Sequence, residues 1–556
     1  MAHGMTSPTN AISDSAVLSR SVAPPVTVLP RQHGSVLCIP NWDETSQLVE
    51  LNRAVLAAAP LDVQGMPLLR LREWTRSTLI NEAVRYTSSL LGSELPAGPT
   101  EALIVTGHQP ELFHAGVWAK NFAVAGLARL HGGLALNLIV DNDTLDNTRI
   151  RVPAGSATAP KFEWVPFDTE RQAQPWEDAT LVDPATVRRF GDRVTSMLRE
   201  DWKYEPLLAR CWPAAVQQSE VSNRLCDILT AARVSCEREH GLTNIELPMS
   251  RVCETEPFRW FAAHLLAHLP RVHSLYNAAV HQYRLAHRLR NKTHPVPDLE
   301  SRDGWLETPF WIWQSGDLHR DRPFVRRVGS ELELRNDHEV LARWPQSEDG
   351  SAETTVAVLA ELSRRGLRFR TRALTTTLFA RLCLADLFIH GIGGAKYDEV
   401  TDRLFEQLFG MAAPRFATVS ATFHLPLGGS STAIGLDERR VRRHLRDLRY
   451  NPDRHVTASP GSIEDGLIEE KRHLITALAN RRPTASETRR ILQINAALAA
   501  LTLALEQEWQ SIRETMRRQR AADVIRQDRE FAWCLHPHDE LPQKLLAAFV
   551  GNDSDV

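Results

Sequence analysis

Apolar residues follow two rhythms along this chain, a recurrence at three and four positions and short unbroken runs. The first rhythm predicts helices over 45–58 and 71–91, where Leu, Val and Ala repeat along one face. The second predicts strands over 36–39, 102–105 and 134–140, the last with Asn137 as its one polar member. A helix over 117–130 lies between the latter two. Strand, helix and strand in this order make a right-handed βαβ unit, whose parallel strands are covered on both faces. From about 162 to 242 the pattern turns helical, with periodic stretches at 183–199 and 217–238, and is predicted to be an insertion. A strand over 244–248 resumes the sheet, and helices follow over 254–269 and 271–290. Strands over 310–313, 324–328 and 331–334 form a β-rich patch. A helix over 354–364 and strands over 367–369 and 387–390 come next. The last of these leads into a glycine loop, then a helix over 397–409 and a strand over 416–425.

Past Gly428-Gly429-Ser430 the sequence becomes charged and helical, over 436–448 and 463–479. Pro483 stops one helix, and Thr484 or Ser486 caps the next. From there to about 529 there is neither Gly nor Pro. An uninterrupted helix of that length would reach roughly 65 Å at ~1.5 Å per residue, too far to bury its apolar stripe on a compact core. An antiparallel coiled-coil arm that joins two chains into a homodimer is the expected solution. The predicted fold is therefore α/β, a Rossmann-like parallel sheet with a helical insertion and a long C-terminal arm. Its parts are a flexible tail at 1–30, core at 31–160 and 244–430, insertion at 161–243, arm at 431–530 and a returning segment at 531–556. With 556 residues the chain exceeds what one hydrophobic core normally serves.

Composition removes several classes of function. Hydrophobic residues at 43% and charged residues at 24% describe an ordinary folded protein. A net charge of −3 gives no general drive toward nucleic acid or an anionic membrane. Arg439-Arg440 with Arg442-Arg443, and Arg517-Arg518 with Arg520, sit among acidic residues and read as solvated helix faces. The seven cysteines form no CxxC pair, which suits buried thiols in a reducing compartment. No zinc spacing is visible, and His264 with His268 lacks the Glu of an HExxH helix, so no metal is expected. No run approaches the ~20 apolar residues of a membrane helix, and the first thirty residues have no signal-peptide pattern. The expected location is the cytoplasm.

The candidate chemistry clusters at three strand ends. Thr106-Gly107-His108-Gln109-Pro110-Glu111-Leu112-Phe113-His114-Ala115-Gly116 joins a buried strand to a helix N-terminus. Open α/β sheets bind ligands there, because free N–H groups and the helix dipole attract anions. His114 and Gly116 also match part of the H-x-G-H loop of nucleotidyltransferases, with Val117 in place of the second His. Asp141-Asn142-Asp143, with Asp146, follows the next strand; carboxylates there suit an amine, a ribose or a cation. His390-Gly391-Ile392-Gly393-Gly394-Ala395-Lys396-Tyr397-Asp398 is a third strand-to-helix loop, where glycines permit positive φ and close approach to a ligand. It lacks the Walker spacing. Asn277, His281, Arg284 and Arg288 share a helix face, and Trp305, Trp311 and Trp313 are expected in the core.

In the order and character of these segments the chain resembles the bacillithiol-biosynthesis cysteine-adding enzymes, a cysteine ligase family. The 106–113 stretch and its helix to Trp118 are similar to that family's T-G-Q-Q-x-G-L-F-x-G-P-L-Y. Leu138-Ile139-Val140-Asp141-Asn142-Asp143 resembles its strand ending in E-D-H-D, and Ile392-Gly393-Gly394-Ala395 its Y-x-G-G-P loop. Pro414-Arg415 through Ser420-Ala421-Thr422 resembles its P-R-x-S-x-T strand. A coiled-coil arm and a final L-x-P turn fit Leu535-His536-Pro537. The chain departs at His108, Glu111 and Gly116, which replace Gln, Gly and Pro, and its acidic cluster lacks a His, as in a divergent member. The resemblance implies a ligase that joins an amine, cysteine, to a small acceptor with ATP as co-substrate. In that reading His114, Asp143 and Lys396 are catalytic. His114 donates to phosphate or carboxylate oxygens held by Thr106, Gly107, His108, Gln109 and Gly116. Asp141 and Asp143 orient the amine, Gly393 and Gly394 approach the ligand, and Lys396 pairs with an anionic substituent. The alternative is a non-catalytic or nucleotidyltransferase-like protein that binds a small anion and dimerises through its arm.

Overall fold

Strands Ser35–Ile39 (β1), Leu103–His108 (β2), Leu134–Ile139 (β3), Ile245–Pro248 (β4), Leu387–His390 (β5) and Phe416–Thr422 (β6) form one sheet in a computed structural model. That structure describes residues 29–95, 101–291, 293–294, 296–346, 350–429 and 437–551. The tail expected at 1–30 thus lies, but for its last two residues, outside the described residues. The spatial order is β1-β6-β5-β2-β3-β4. All neighbours are parallel except β1, which lies antiparallel on β6 at the edge. The molecule is a mixed α/β fold built on a parallel sheet. β2 is central, with Val105 opposite Leu136 on one side and Phe388 on the other. From β2 the chain proceeds outward through β3 to β4, then returns across β2 to build β5 and β6. The order reverses between β2 and β5.

Burial on both faces explains why these strands read as apolar runs. Successive side chains point to opposite sides. Leu103, Val105 and Leu136 join a core with the helices Leu68–Leu91, Glu256–Ala267 and Leu269–Ala286. Ile104, Ala135 and Ile389 join a second core with Trp118, Phe122, Phe190 and Trp212. Helix α1 (Ala115–Leu130) connects β2 to β3, and α2 (Ile392–Leu408) connects β5 to β6.

The expected insertion differs in two respects. It begins with a β-hairpin, Arg149–Ser156 paired with Ala159–Pro166, before helices Pro184–Trp202 and Leu208–Val221. Phe162 and Trp164 sit exposed in the second strand, so its sequence carries no inward alternation. The helix expected over 217–238 breaks at Ser222, and its second half, Leu225–Glu239, is the sheet's own crossover into β4. The β-rich patch forms a five-stranded antiparallel sheet, while Phe310–Gln314 pairs separately with Leu367–Thr371.

The C-terminal helical stretch also differs from the uninterrupted helix expected. It comprises Glu438–Tyr450, Ile463–Ala477, Ala485–Ala499 and Leu503–Arg526. Thr484 caps the third with a reciprocal capping box to Glu487. A 3₁₀ turn at Ala500–Thr502 separates the last two, and the buried Thr502 hydroxyl donates to the Ala499 carbonyl (3.2 Å). The first helix packs on the fourth and the second on the third. All seven cysteines are free. Among the described residues no helix is long and apolar enough to cross a membrane.

Candidate active site

The carboxyl ends of β2 and β5 diverge at the point where strand order reverses, and a cavity of about 730 Å³ opens there. Loops leave such neighbouring strands in opposite directions, so a crevice forms between them. This volume suits a nucleotide-sized or smaller ligand.

From β2, Gly107, His108 and Gln109 line the cavity. Thr106 does not: its hydroxyl donates to the Ile389 carbonyl (2.8 Å) and ties β2 to β5 beneath the floor. Burial holds His108 well below the ordinary imidazole range, with Arg233 and Lys120 adding to the effect. Gln109 Nε2 donates to Asp143 Oδ2 (3.0 Å). His114 caps α1, its Nδ1 accepting from the Gly116 N–H (3.0 Å). With Nδ1 occupied as an acceptor, the proton sits on Nε2, which is 3.6 Å from Glu530. Burial, and then Arg529, push His114 down to about 4. It is a neutral N–H donor at physiological pH. Gly116 has no space for a side chain, because a Cβ would lie 2.6 Å from the Ala421 carbonyl and against the Arg529 guanidinium.

After β3 the acidic cluster divides. Asn142 and Asp143 line the cavity. Asp143 faces Arg320 (3.4 Å), whose guanidinium also donates to the Asn142 carbonyl and stacks over Trp311. Asp141 turns away and is fully buried, accepting from the Ser250 N–H (2.8 Å) and hydroxyl (2.5 Å). Burial raises it to about 6, with Glu177 adding repulsion. Its partners Arg224 and Ser250 line a separate charged depression together with Glu177.

At β5 the glycines have a different role from the one expected. Gly391 is the N-cap of α2, and Gly393 and Gly394 lie in its first turn, none with positive φ. Gly394 is needed for space: a Cβ there would lie 2.7 Å from His390 Nδ1. His390 Nε2 donates to Asp398 (2.7 Å), which also accepts from the buried Arg381 (2.6 Å). Though burial opposes it, Arg381 and then His390 hold Asp398 well below the usual carboxylate range. In the neutral ring that carboxylate places the proton on Nε2 and leaves Nδ1 to accept. Lys396 is exposed on α2 and is not among the lining residues. At ~100° per residue it sits roughly opposite Gly394.

The structure thus brings Gly107, His108, Gln109, His114, Gly116, Asp143, Gly393 and Gly394 to one cavity, and leaves Thr106, Asp141 and Lys396 outside it. It adds residues to which the sequence reading gave no role: His390, Asp398 and Ser420, which lay inside quoted segments, and Lys120 and Arg529. Lys120 stands on α1 among Trp118, Ala119, Phe122 and Ala123, and a cation inside so apolar a stretch was a readable signal. His390 and Asp398 could have been linked by the helix start between them. Arg529 donates to Ser420 (3.1 Å) and Thr422 (3.3 Å), more than a hundred positions away, and has no local signature. Among the described residues no group of three or more His, Cys, Asp or Glu is placed to hold a metal ion. No protein-family model and no curated protein matches the chain.

Proposed function

We propose that this protein is an enzyme that joins an amine, cysteine by resemblance, to a small anionic acceptor in the crevice between β2 and β5. The reading assigns it to thiol biosynthesis of the bacillithiol type, in the cytoplasm, as a homodimer joined through the helical unit at 438–526. The observation that carries it is the convergence of a carboxylate-held imidazole, His390 on Asp398, with His114 and Asp143 on one cavity at the strand reversal. An incoming ammonium must lose a proton before it attacks, and His390 Nδ1 is the acceptor in place to take it. Asp143, on the same cavity, orients the amine. The His114 Nε2–H and the Arg529 guanidinium stabilise the oxyanion that develops on the acceptor. A nucleoside triphosphate would supply the leaving group that a carboxylate lacks. The guanidinium groups of Arg320 and Arg529 on the same walls have the fork geometry that suits phosphate oxygens.

Thermal-shift measurements against ATP, cysteine and glycosylated malate, followed by assay of nucleotide consumption, test the reading. Ligands near a hundred times Kd add about 2.7 kcal/mol of stability and raise the melting temperature by several degrees. His114→Ala with Asp143→Asn is expected to abolish turnover while the fold survives. Unchanged melting with every ligand, and no nucleotide consumed, would leave the non-catalytic alternative standing.

A further inference from the structure

We propose that Lys120 is a nucleophilic amine that captures the carbonyl carbon of a small aldehyde or ketone bearing an anionic group, an activity beyond the condensation described above. Lys120 lies in the second turn of α1, buried, with its stem against Gly391, and it lines the cavity. Nζ donates to the Gly107 carbonyl, at the strand reversal itself.

Its lack of a counter-charge separates it from the other buried cations. Arg233 is paired with Glu237 and Glu246, Arg370 with Glu177 and Glu254, Arg381 with Asp398 and Asp402, and Lys471 with Asp453. Among the described residues no carboxylate lies within ion-pair range of Lys120 Nζ. The titratable neighbours that feel its charge are His108 at the end of β2 and His114 at the cap of α1, both held low, so neither offers an ammonium a counter-charge. Asp143, Asp398 and Glu530 line other parts of the cavity. Burial alone lowers the ammonium to about 7, so a large fraction is free amine at physiological pH.

Residue choice points the same way. Only 7 of the 65 basic residues are lysine, so where this chain needs positive charge it uses arginine. A guanidinium cannot lose its proton under these conditions, whereas an ammonium can. A buried lysine without a carboxylate suits chemistry that requires the neutral amine. In the step, the Nζ lone pair forms a bond to the carbonyl carbon. The carbonyl oxygen leaves as water with the two amine hydrogens, and an imine is left; no oxidant or reductant is consumed. Arg320 and Arg529 on the same cavity supply the attraction for the substrate's anionic group.

The experiment treats the full-length protein at pH 7 with glyoxylate, an aldehyde carrying a carboxylate, and cyanoborohydride to reduce any imine. Peptide mapping by mass spectrometry then locates the carboxymethyl adducts. Lys120 is expected to be labelled on the order of tenfold more than exposed Lys161, Lys203 or Lys396. Lys120→Arg and Lys120→Met should lose this adduct with unchanged circular dichroism. Equal or weaker labelling of Lys120 in the wild-type chain would overturn the proposal, and that readout requires no variant to fold.

Discussion

Gly394 lacks a side chain where the His390 ring needs the space, and this makes it a sharper probe of the imidazole than replacing the imidazole itself. A methyl group at 394 would meet Nδ1 at 2.7 Å and turn the ring off Asp398. On the proposed condensation, Gly394→Ala is expected to lower turnover about a hundredfold, a typical contribution of a positioned base. Its cost in stability should be only about 1 kcal/mol, because a side-chain ring yields more readily than backbone. Comparing kcat with the melting temperature separates the two. Lys120 gives the opposite signature. Its folded pKa of about 7 lies below the unfolded value of about 10.4, so the unfolded chain binds the extra proton between these limits. The cost of holding it is full below pH 7 and fades as pH rises toward 10. Lys120→Met should therefore be more stable than the wild-type chain at pH 6, by on the order of a few kcal/mol. That advantage should vanish near pH 10 in urea titrations at both values. A wild-type residue that weakens its own fold is the mark of a functional group.

The elements were unevenly legible. β2, β3 and β5 stood out because both faces of a parallel strand are buried, which leaves an unbroken apolar run whatever the neighbours. The loops at 107–116 and 390–398 were legible for a related reason, since each begins where such a run stops. The Ala159–Pro166 strand was hidden, because Lys161, Phe162, Glu163 and Trp164 are all exposed and no alternation marks it. The split at Ala500–Thr502 carries no Gly or Pro, and a Thr hydroxyl turning back on its own helix has no pattern to read. Arg529 was illegible for the plainest reason, as its partners Ser420 and Thr422 meet it only in three dimensions. The C-terminal helix Leu541–Phe549 is likewise placed by a distant contact. Its Phe549 carbonyl closes directly on Gly126 of α1, and the Phe549 ring packs on Trp42 (5.1 Å). Gly126→Ala sets a methyl group against backbone that cannot rotate away, so the closing helix must shift. A loss of about 1–3 kcal/mol is expected, read as a lower denaturation midpoint. The cavity is remote from this contact, and turnover per folded molecule should be unchanged.

At the scale of the whole molecule, the helical unit meets the crevice at the joint that follows its last helix. Leu503–Arg526 runs back to the core and delivers Arg529 to the cavity wall three residues later. The joint is pinned by Arg151 on Asp528 (2.7 Å) and by Arg526 donating to the Ala157 carbonyl, so the hairpin serves as its footing. Farther out, Ile463, Ile475, Leu492, Leu501 and Leu503 are each more than half exposed. Scattered surface leucines are ordinary, but five large aliphatic side chains on one helical unit are what a second copy would cover. On the proposed dimer, Leu492→Glu with Leu501→Glu should convert a two-chain species into a single chain in sedimentation velocity. The melting temperature should barely move, since both side chains already face water. Because Arg529 is held within its own chain by Ser420 and Thr422, and its neighbours Asp528 and Arg526 by Arg151 and Ala157, the single chain should keep its turnover to within about twofold, as distant and independent sites do. A wild-type protein that sediments as one chain would remove the dimer. A dissociated variant that loses turnover would mean instead that the partner's helices complete the crevice, and the pinning at Asp528 would then be only half of what holds Arg529 in place.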